Sequence, residues 1–534
     1  MTSCGEATVR LLEQYGVTTV FGIPGAHTLE LYRGLAGSTI RHISTRHEQG
    51  AGFMAHGYAR VTGTPGVCFV ISGPGVTNVA TPMGQAYAES LPMLVISGAG
   101  STPSIGMGYG TLHELGHQRE ATAQLTAFSH TLLCPEQLPE VIAAAYATFR
   151  CERPRPVHIE IPFDVAARAV DFEPTLWPAP SRPAPQADAV AEAAGLLASA
   201  TSPVFVFGGG AVHAADPARE LVELLDAPAV LTINGKGILP RGHRLSLGSN
   251  LPFEPVQRVL EEADVVLAVG TEFGETDTML VGTRMRLSGR LIRIDIDARQ
   301  VSRAQRPSLA IVSDSGEALA ALVTAVKALP DRRPPVRRTG AETVRAVREQ
   351  VRACWTASPA YQRLVDLVSS TLPDAVVVGD LAQHAYEADH LFEANEPRSY
   401  MTATTGYGTL GFALPAAMGA KIGAPHRPVV CLIGDAGVQF TLPELATAVQ
   451  ERISVVVLVW MNAGYEEIRF LLGEQGIPSE RFDIDSLDLV TAARGFGCEA
   501  AVAKDSRELE LLLAGSGKLE RPLVVGLSEE ALLK

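Results

Sequence analysis

The sequence predicts an α/β protein made of three doubly wound domains, each with a parallel sheet covered by helices on both faces. Short apolar runs rich in β-branched residues alternate with helical patterns along the whole chain, for example VCFVIS, PVFVFGGG and SVVVLVW. Near-continuous apolar strands separated by helices are typical of parallel sheets that are buried on both sides. Two proline-rich stretches, residues 172–186 and 329–340, divide the 534 residues into three segments.

Each segment supplies its own strands. The first contains VCFVIS, MLVISG and VHIEI, the second PVFVFGGG, AVLTIN, VVLAVG and LIRIDID, and the third AVVVGD, VVCLIG and SVVVLVW. The chain is also too long for a single core. We therefore predict an N-terminal domain over residues 1–170, a central domain over 188–330 and a C-terminal domain over 345–534, joined by extended linkers.

The composition excludes several classes of protein. The 44 basic and 58 acidic residues give a net charge of −14, which argues against a nucleic-acid-binding surface. No apolar run reaches the ~20 residues that span a bilayer. The N-terminal MTSCGEATVRLLEQYGV begins as an amphipathic helix without the apolar stretch of a signal peptide. Seven scattered cysteines with no C-x-x-C pair predict neither disulfides nor a zinc site. We expect a cytoplasmic enzyme without nucleic-acid or membrane partners.

Two polar residues follow successive apolar strands in the last segment. Asp435 follows VVCLIG, and Asn462 follows SVVVLVW, 27 residues further on. Because the carboxyl ends of neighbouring parallel strands open on the same edge of a sheet, these side chains should lie close together. With the backbone carbonyl of Gly464 they would form a hard-oxygen site. Such a site suits Mg²⁺, which binds through one or two protein groups and substrate phosphates.

This segment resembles the metal and diphosphate motif of thiamine diphosphate (ThDP) enzymes of the acetolactate synthase, benzoylformate decarboxylase and pyruvate decarboxylase type. The family pattern is Gly-Asp-Gly followed by Asn-Asn, and this chain departs from it at Ala436 and Met461. The ligating positions are intact. The resemblance implies that the three domains are the pyrimidine-binding, central and diphosphate-binding domains. It also implies diphosphate contacts at the aspartate turn, from Gly434, Ala436 and Gly437.

Glu48 lies in RHEQGAGFMAHGYAR, at the start of a predicted helix. A lone glutamate there is ordinarily a carboxylate stabilised by the helix dipole. The surrounding residues, however, resemble the family pattern R-H-E-x-x-A-x-x-M-A-x-G-Y-A-R. In that pattern the glutamate hydrogen-bonds N1′ of the aminopyrimidine and promotes removal of the thiazolium C2 proton. We therefore predict that Glu48 is catalytic.

Two Gly-Pro turns follow apolar strands in the first segment, FGIPGAHT at residues 21–28 and ISGPGVTN at residues 71–78. Both are tight turns, and both should border the crevice at the carboxyl edge of the sheet. In the family these loops pass close to the pyrimidine ring and the substrate. The resemblance implies cofactor contacts from Gly25, Pro74, Thr77 and Asn78, a substrate contact from Ala26 and proton transfer by His27.

The motif GYGTLG at residues 406–411 satisfies G-x-G-x-x-G, which alone predicts a dinucleotide site and an NAD-dependent dehydrogenase. Two details count against that alternative. The preceding RSYMTATT is a poor buried strand, and Asp435 lies in a second turn coupled to Asn462. The segment GYGTLGFALPAAMGA instead resembles the family loop beneath the bent cofactor. This implies that Leu410 supports the cofactor and that Gly408 contacts it.

The segment VVVGDLAQHAY at residues 376–386 is similar to the family's strand-end loop that touches the diphosphate. The resemblance implies diphosphate contacts from Gln383 and His384; a surface turn is the alternative. The central domain of acetolactate synthases binds a structural flavin. Because LGSNLPFEP matches the flavin-contacting stretch poorly, we expect no FAD. Family active sites form between chains, so we expect a homodimer or homotetramer.

The segment TLHELGH at residues 111–117 bears on the reaction, because pyruvate decarboxylases carry a paired His-His there and acetolactate synthases carry Phe-Gln. His113 therefore favours protonation and aldehyde release after CO₂ leaves a 2-oxo acid. Glu467 follows residues 462–464, the predicted metal loop, at a position where family side chains are usually apolar or small. Together with Glu114, and beside Ile468, its carboxylate would suit a cationic substrate tail through a guanidinium pair. The alternative is a solvated helix start.

This pattern resembles the branch of the family that decarboxylates 5-guanidino-2-oxopentanoate (2-ketoarginine) in arginine catabolism. The expected reaction is ThDP- and Mg²⁺-dependent and releases 4-guanidinobutanal and CO₂. Two alternatives stay open. An acetolactate synthase-like carboligase would act on pyruvate, and, more distantly, a dehydrogenase would use NAD.

Overall fold

The computed structural model describes residues 2–330, 339–479, 482, 484 and 487–534. The chain divides into two units, one formed by Met1–Pro180, Val376–Ala385 and Tyr407–Lys534, the other by Ser181–Ala375 and Tyr386–Gly406. Of the predicted linkers, residues 173–186 carry no helix or strand in the described part of the chain. Residues 331–338 of the second linker lie outside the described residues.

The first unit begins with a parallel sheet in the order β2–β1–β3–β4–β6–β5. Its strands are β1 (Thr19–Gly22), β2 (Arg41–Ser44), β3 (Gly66–Val70), β4 (Met93–Ala99), β5 (Phe128–Thr131) and β6 (Val157–Pro162). Its helices are α1 (Cys4–Gln14), α2 (Leu29–Ala36), α3 (Glu48–Thr62), α4 (Pro74–Ala88), α5 (Gln118–Ala123), α6 (Leu138–Cys151) and α7 (Phe163–Ala166). A capping box between Ser3 and Glu6 fixes the start of α1.

The second unit contains a parallel sheet in the order β11–β10–β9–β7–β8. Its strands are β7 (Pro203–Phe207), β8 (Ala229–Leu231), β9 (Val265–Val269), β10 (Arg290–Asp295) and β11 (Leu309–Val312). Its helices are α8 (Ala187–Ser199), α9 (Ala215–Leu225), α10 (Glu254–Glu262), α11 (Glu275–Thr278), α12 (Ser315–Ala328), α13 (Gly340–Cys354) and α14 (Pro359–Thr371). Phe205 and Phe207 enter the core on one face, whereas Val204 and Val206 enter the core on the other.

The C-terminal segment adds further elements. Its strands are β12 (Val376–Gly379), β13 (Tyr400–Thr402), β14 (Val429–Gly434), β15 (Val456–Trp460), β16 (Glu499–Val502) and β17 (Leu523–Leu527). Its helices are α15 (Gln383–Leu391), α16 (Ala413–Gly423), α17 (Asp435–Gln439), α18 (Glu444–Gln450), α19 (Glu466–Glu474), α20 (Leu489–Gly495), α21 (Ser506–Gly515) and α22 (Glu529–Leu533). Across the third sheet β12, β14, β15, β17 and β16 follow one another, all parallel.

Helices α3 and α16 of the first unit pack closely. A Cβ atom at Gly57 would overlap the carbonyl group of Ala416, and one at Gly419 would overlap that of Met54. Glycine is therefore required at both points of backbone contact. Since α3 begins with Glu48, this contact helps to fix the helix that carries the predicted catalytic residue.

Three parallel sheets with helices confirm the predicted fold class. The predicted domain limits stay predictions, and α13 and α14 group with the central sheet in the second unit. One detail was wrong: RSYMTATT contains a buried strand, β13. Tyr400 is buried there because its hydroxyl group donates to Asp389 Oδ1 (2.7 Å), a tertiary contact that local sequence does not reveal. Among the described residues, no helix is both long and apolar enough to span a membrane.

Candidate active site

The topological switch point of the first sheet lies between β1 and β3, because the chain leaves β1 for β2 on one side and reaches β3 on the other. The two predicted Gly-Pro loops follow these two strands. They pack against each other, since a Cβ atom at Gly25 would overlap the Ile71 side chain. Crevices outside the carboxyl ends of strands at such a point are where open α/β sheets bind ligands. Ala26 and Pro74 are exposed at this edge.

Glu48 is the first residue of α3 and follows β2. Glu48 is 7% exposed, and its Oε2 accepts a hydrogen bond from the Asn78 amide (2.9 Å). Asn78 lies on α4, where Thr77 donates to the Pro74 carbonyl (3.1 Å). The structure therefore brings together the predicted catalytic glutamate and a predicted cofactor contact.

Glu444 is a residue that sequence reasoning missed. It is the first residue of α18, and only 1% of it is exposed. Its Oε1 accepts the backbone N–H groups of Arg46 and His47 (both 3.0 Å), immediately before Glu48. Its Oε2 accepts the Thr447 hydroxyl group (2.7 Å), and burial raises the pKa of Glu444. Glu444 thus anchors the backbone from which Glu48 projects.

His27 and His113, both predicted to transfer protons, lie together with ring centroids 5.5 Å apart. His27 Nδ1 is 3.0 Å from the Ser72 hydroxyl group, and its Cβ atom rests on Gly98 at the end of β4. Burial first, and then the neighbouring His113, lower the pKa of His27. His113 has a positive φ of 58°, and its Nδ1 is buried without a hydrogen-bond partner among the described residues. The lowered pKa of His27 favours its neutral imidazole form.

Gln118, on α5, is a second residue that sequence reasoning missed. Its Nε2 donates to the Gly98 carbonyl (3.0 Å) and to Glu160 Oε2 (2.9 Å), and its Oε1 accepts the Gly73 N–H (2.8 Å). It therefore fixes the ISGPGVTN loop from behind. No local motif marks this residue, because its partners are distant in sequence.

Glu114 does not approach Glu467 through any hydrogen bond or ion pair in the described part of the chain. Its carboxylate instead accepts the N–H groups of Gly108 (3.0 Å), Gly110 (2.6 Å) and Thr111 (3.1 Å). These bonds close the loop that carries His113. A substrate cation would therefore have to bind a Glu114 carboxylate that already accepts three backbone N–H groups of its own loop.

Asp435 and Asn462 lie together at the ends of β14 and β15, as the strand order requires. Asp435 Oδ2 accepts the N–H groups of Asn462 (3.2 Å) and Ala463 (2.7 Å). One end of the Asn462 amide lies 3.1 Å from the Gly464 carbonyl oxygen and 3.2 Å from Asp435 Oδ1. If this end is the amide oxygen, three oxygens face one another, as they do around a cation. If it is the amide nitrogen, it donates to the Gly464 carbonyl oxygen and to Asp435 Oδ1. This oxygen set fits a hard cation such as Mg²⁺.

Arg469 donates to the backbone of residues 462–464, the loop predicted to bind the metal. Its guanidinium group donates to the Asn462 carbonyl (2.9 Å) and to the Ala463 carbonyl, and it pairs with Glu466 (3.2 Å). A Cβ atom at Gly464, where φ is +145°, would lie 2.5 Å from this group. The loop therefore needs glycine at this position.

The aspartate turn itself is tightly packed. Ala436 is 4% exposed and Gly437 is buried, while Gly434 is half-buried. The Ala436 N–H donates to Asp435 Oδ1 (2.8 Å). Ala436 is one of the two departures from the family pattern, and its methyl group is accommodated within the buried turn.

The GYGTLG loop needs its glycines for backbone reasons. Gly406, Gly408 and Gly411 have positive φ values of 104°, 71° and 76°. Asp380, a buried residue after β12 that sequence reasoning missed, accepts the N–H groups of Gly411 (3.2 Å) and Ala413 (2.8 Å). Burial raises the pKa of Asp380 to about 6, although backbone hydrogen bonds oppose that shift. The loop with half-buried Leu410 is thereby tied to the end of β12.

Gln383 and His384 begin α15 and point in different directions, as successive helical residues do. The Gln383 amide donates to Glu467 Oε2 (2.7 Å). The His384 residue is 0% exposed, and its ring stacks on Trp460 at 5.3 Å. Burial lowers the pKa of His384 to about 3. The structure thus places Gln383 beside Glu467 and His384 in the interior, while Ile468 is 49% exposed beside Glu467.

Among the described residues, no group of three or more His, Cys, Asp or Glu side chains could hold a metal ion, and all seven cysteines are free.

A buried glutamate over one parallel sheet and a turn of hard-oxygen donors over another define a ThDP-dependent enzyme. The chain belongs to the thiamine pyrophosphate enzyme family. The N-terminal TPP binding domain of this family matches residues 2–124, the central domain matches 190–322 and the C-terminal TPP binding domain matches 380–526.

Several proteins are similar over nearly the whole chain. The probable 2-ketoarginine decarboxylase AruI of Pseudomonas aeruginosa is 47% identical over 97% of this chain and 92% of that protein. The acetolactate synthase isozyme 1 large subunit of Escherichia coli is 33% identical over 92% of this chain and 88% of that protein. The acetolactate synthase large subunit of Corynebacterium glutamicum is 31% identical over 97% and 86%. The resemblance found from the motifs is confirmed.

Proposed function

We propose that the chain catalyses the ThDP- and Mg²⁺-dependent decarboxylation of 5-guanidino-2-oxopentanoate, releasing 4-guanidinobutanal and CO₂. The observation that carries the substrate is Glu467, a half-buried carboxylate that follows the metal loop and has no ion pair among the described residues. A guanidinium group is the natural partner of such a carboxylate. The relative AruI is named a probable 2-ketoarginine decarboxylase, and 2-ketoarginine is this same substrate.

The residues that would hold the cofactor are at the two sheet edges. Asp435, Asn462 and the Gly464 carbonyl oxygen would hold Mg²⁺ and, through it, the diphosphate. When bound, ThDP supplies an electron sink for the bonding pair left behind as CO₂ departs. Glu48, whose Oε2 is held by the Asn78 amide, would transfer a proton through its carboxylate.

Two histidines would complete the reaction. The lowered pKa of His27 keeps its imidazole neutral at pH 7, so it can accept or relay a proton there. His113, within reach of His27, would deliver the proton needed to release an aldehyde. This pair is the feature that favours decarboxylation over carboligation.

The test is CO₂ release in the presence of ThDP and Mg²⁺, with kcat/KM compared for 5-guanidino-2-oxopentanoate, pyruvate and 2-oxopentanoate. We expect a preference for the guanidino acid of at least ~10-fold, about 1.4 kcal/mol. Best turnover on pyruvate with acetolactate as the product would instead assign a carboligase, the activity named for the acetolactate synthase relatives. Turnover that needs NAD but not ThDP would assign a dehydrogenase.

A matched pair of variants tests the guanidinium contact. Glu467→Gln should raise KM for the guanidino acid more than KM for 2-oxopentanoate. Glu466→Gln is the control, because Glu466 is already paired with Arg469. Equal effects of the Glu467 variant on both substrates would remove Glu467 from the substrate site.

The setting of the enzyme is part of the proposal. We expect a cytoplasmic protein of arginine catabolism that works as a homodimer or homotetramer and purifies without flavin absorbance. Exposed apolar side chains near the His113 loop, Met107, Tyr109 and Leu112, are suited to contact between subunits. Light scattering coupled to gel filtration would give the oligomer size, and a monomer at assay concentration would contradict this expectation.

A further inference from the structure

The contact between Gln383 and Glu467 joins two loops that are far apart in sequence. Gln383 follows β12 and opens α15, whereas Glu467 is the second residue of α19, after β15 and the metal loop. Gln383 Nε2 donates to Glu467 Oε2 at 2.7 Å. Since β14 with Asp435 lies between β12 and β15, the bond links the two loops that flank the aspartate turn.

The character of this bond separates Glu467 from two other acidic residues, Glu466 and Glu114. Glu466 is paired with the Arg469 guanidinium (3.2 Å), and Glu114 is bound by three backbone N–H groups. Glu467 receives only a neutral amide. Within the described residues, its Oε1 accepts no hydrogen bond and no basic side chain lies within ion-pair distance. The carboxylate is therefore held in place, and no cationic side chain among the described residues neutralises it.

A carboxylate in this state is prepared for a cationic ligand. One oxygen is fixed by an amide donor, so little side-chain freedom is left to lose when a cation binds the other oxygen. A lysine or arginine at position 383 would also fix the carboxylate but would neutralise it. An amide orients the group without competing for its charge.

We propose that Gln383 is a positioning residue that sets specificity for 2-oxo acids with a cationic side chain by holding Glu467 in a receptive orientation. This inference rests on the proposed function. It differs from the role that the family resemblance implies for Gln383, which is contact with the diphosphate.

The experiment uses Gln383→Met in the full-length enzyme, because methionine keeps the chain length and removes the N–H donor. A cationic 2-oxo acid and a neutral 2-oxo acid of similar length are compared, and ThDP binding in the presence of Mg²⁺ is measured separately by titration. We expect KM for the cationic acid to rise about 5-fold with kcat unchanged. Both constants for the neutral acid and the affinity for ThDP should stay at wild-type values. In a Glu467→Gln background, Gln383→Met should have no further effect on substrate preference.

Two results would overturn the inference alone. In the first, wild-type enzyme prefers the cationic acid and Gln383→Met keeps that preference. In the second, Gln383→Met weakens ThDP binding and raises KM for both acids equally, which would assign Gln383 to the cofactor. A wild-type enzyme that turns over 2-oxo acids without preferring the cationic one overturns the proposed substrate class and the inference with it. Gln383→Asn, which keeps the amide but shortens its reach, should fall between Gln383→Met and wild type.

Discussion

Replacement of Asp435 by Asn tests the metal site most directly, because the protein without ligand should tolerate it. The new amide oxygen can still accept the N–H groups of Asn462 and Ala463. The new NH₂ group then takes the place of Oδ1. The Ala436 N–H therefore loses its acceptor. The new NH₂ group faces the amide group of Asn462 at 3.2 Å.

The magnitudes follow from these contacts. A lost hydrogen bond to a charged group costs about 1.5–3 kcal/mol, and a new neutral one returns about 0.5–1.5 kcal/mol. The free energy of unfolding without ligand should therefore fall by about 1–2 kcal/mol. Ligand at 100 times its Kd should stabilise the wild-type protein by about 2.7 kcal/mol, and this gain should disappear because an NH₂ group cannot bind Mg²⁺.

The assay is urea unfolding with and without ThDP and Mg²⁺. Asp314→Asn is the control, because Asp314 is a buried carboxylate that accepts backbone N–H groups at the start of α12, on the central sheet domain. It should lower stability without ligand and keep the full ligand response. If Asp435→Asn keeps that response, the assignment of Asp435 as a metal ligand is refuted.

Three further predictions concern individual side chains. Glu48→Gln should lower kcat by about 10²–10⁴-fold with ThDP binding retained, measured by steady-state kinetics and titration; unchanged kcat would contradict a proton-transfer role. Arg469→Met should weaken Mg²⁺ binding about 10-fold, because the carbonyl groups of the metal loop lose their donor, and calorimetric titration with ThDP present would detect this. His384 has a pKa of about 3 in the folded protein and about 6.5 in the unfolded chain. Between these pH values only the unfolded chain binds the proton, so His384 should lower the free energy of unfolding by about 1.4 kcal/mol for each pH unit of acidification. His384→Phe, which can still stack on Trp460, should reduce that slope in urea unfolding from pH 7 to 5, and an unchanged slope would contradict the assignment.

Much of the fold could be predicted from the sequence because strand-edge geometry is regular. Apolar runs predict the strands, and the rule that parallel strands end on one edge predicts that Asp435 lies beside Asn462, as the structure shows. The same rule placed the two Gly-Pro loops together. These inferences need only the order and direction of strands.

Contacts that depend on side-chain direction could not be predicted in this way. Glu444 and Gln118 act on backbone N–H groups that are distant in sequence, and no motif marks them. The adjacent residues Gln383 and His384 matched one family motif, yet helical geometry sends one to the sheet edge and the other into the interior. The stretch RSYMTATT looks like a poor buried strand, yet it contains β13, where the buried Tyr400 hydroxyl group donates to Asp389.

The position of Glu444 has a consequence for the order in which the enzyme becomes active during synthesis. The N–H groups of Arg46 and His47 receive their acceptor from a residue about 400 positions later in the chain. A nascent or truncated chain that ends before α18 would leave these groups without it. The predicted catalytic glutamate, Glu48, can thus take its folded position only after most of the protein has been made. In the full-length protein, Glu444→Ala should remove this acceptor and speed amide exchange at Arg46 and His47.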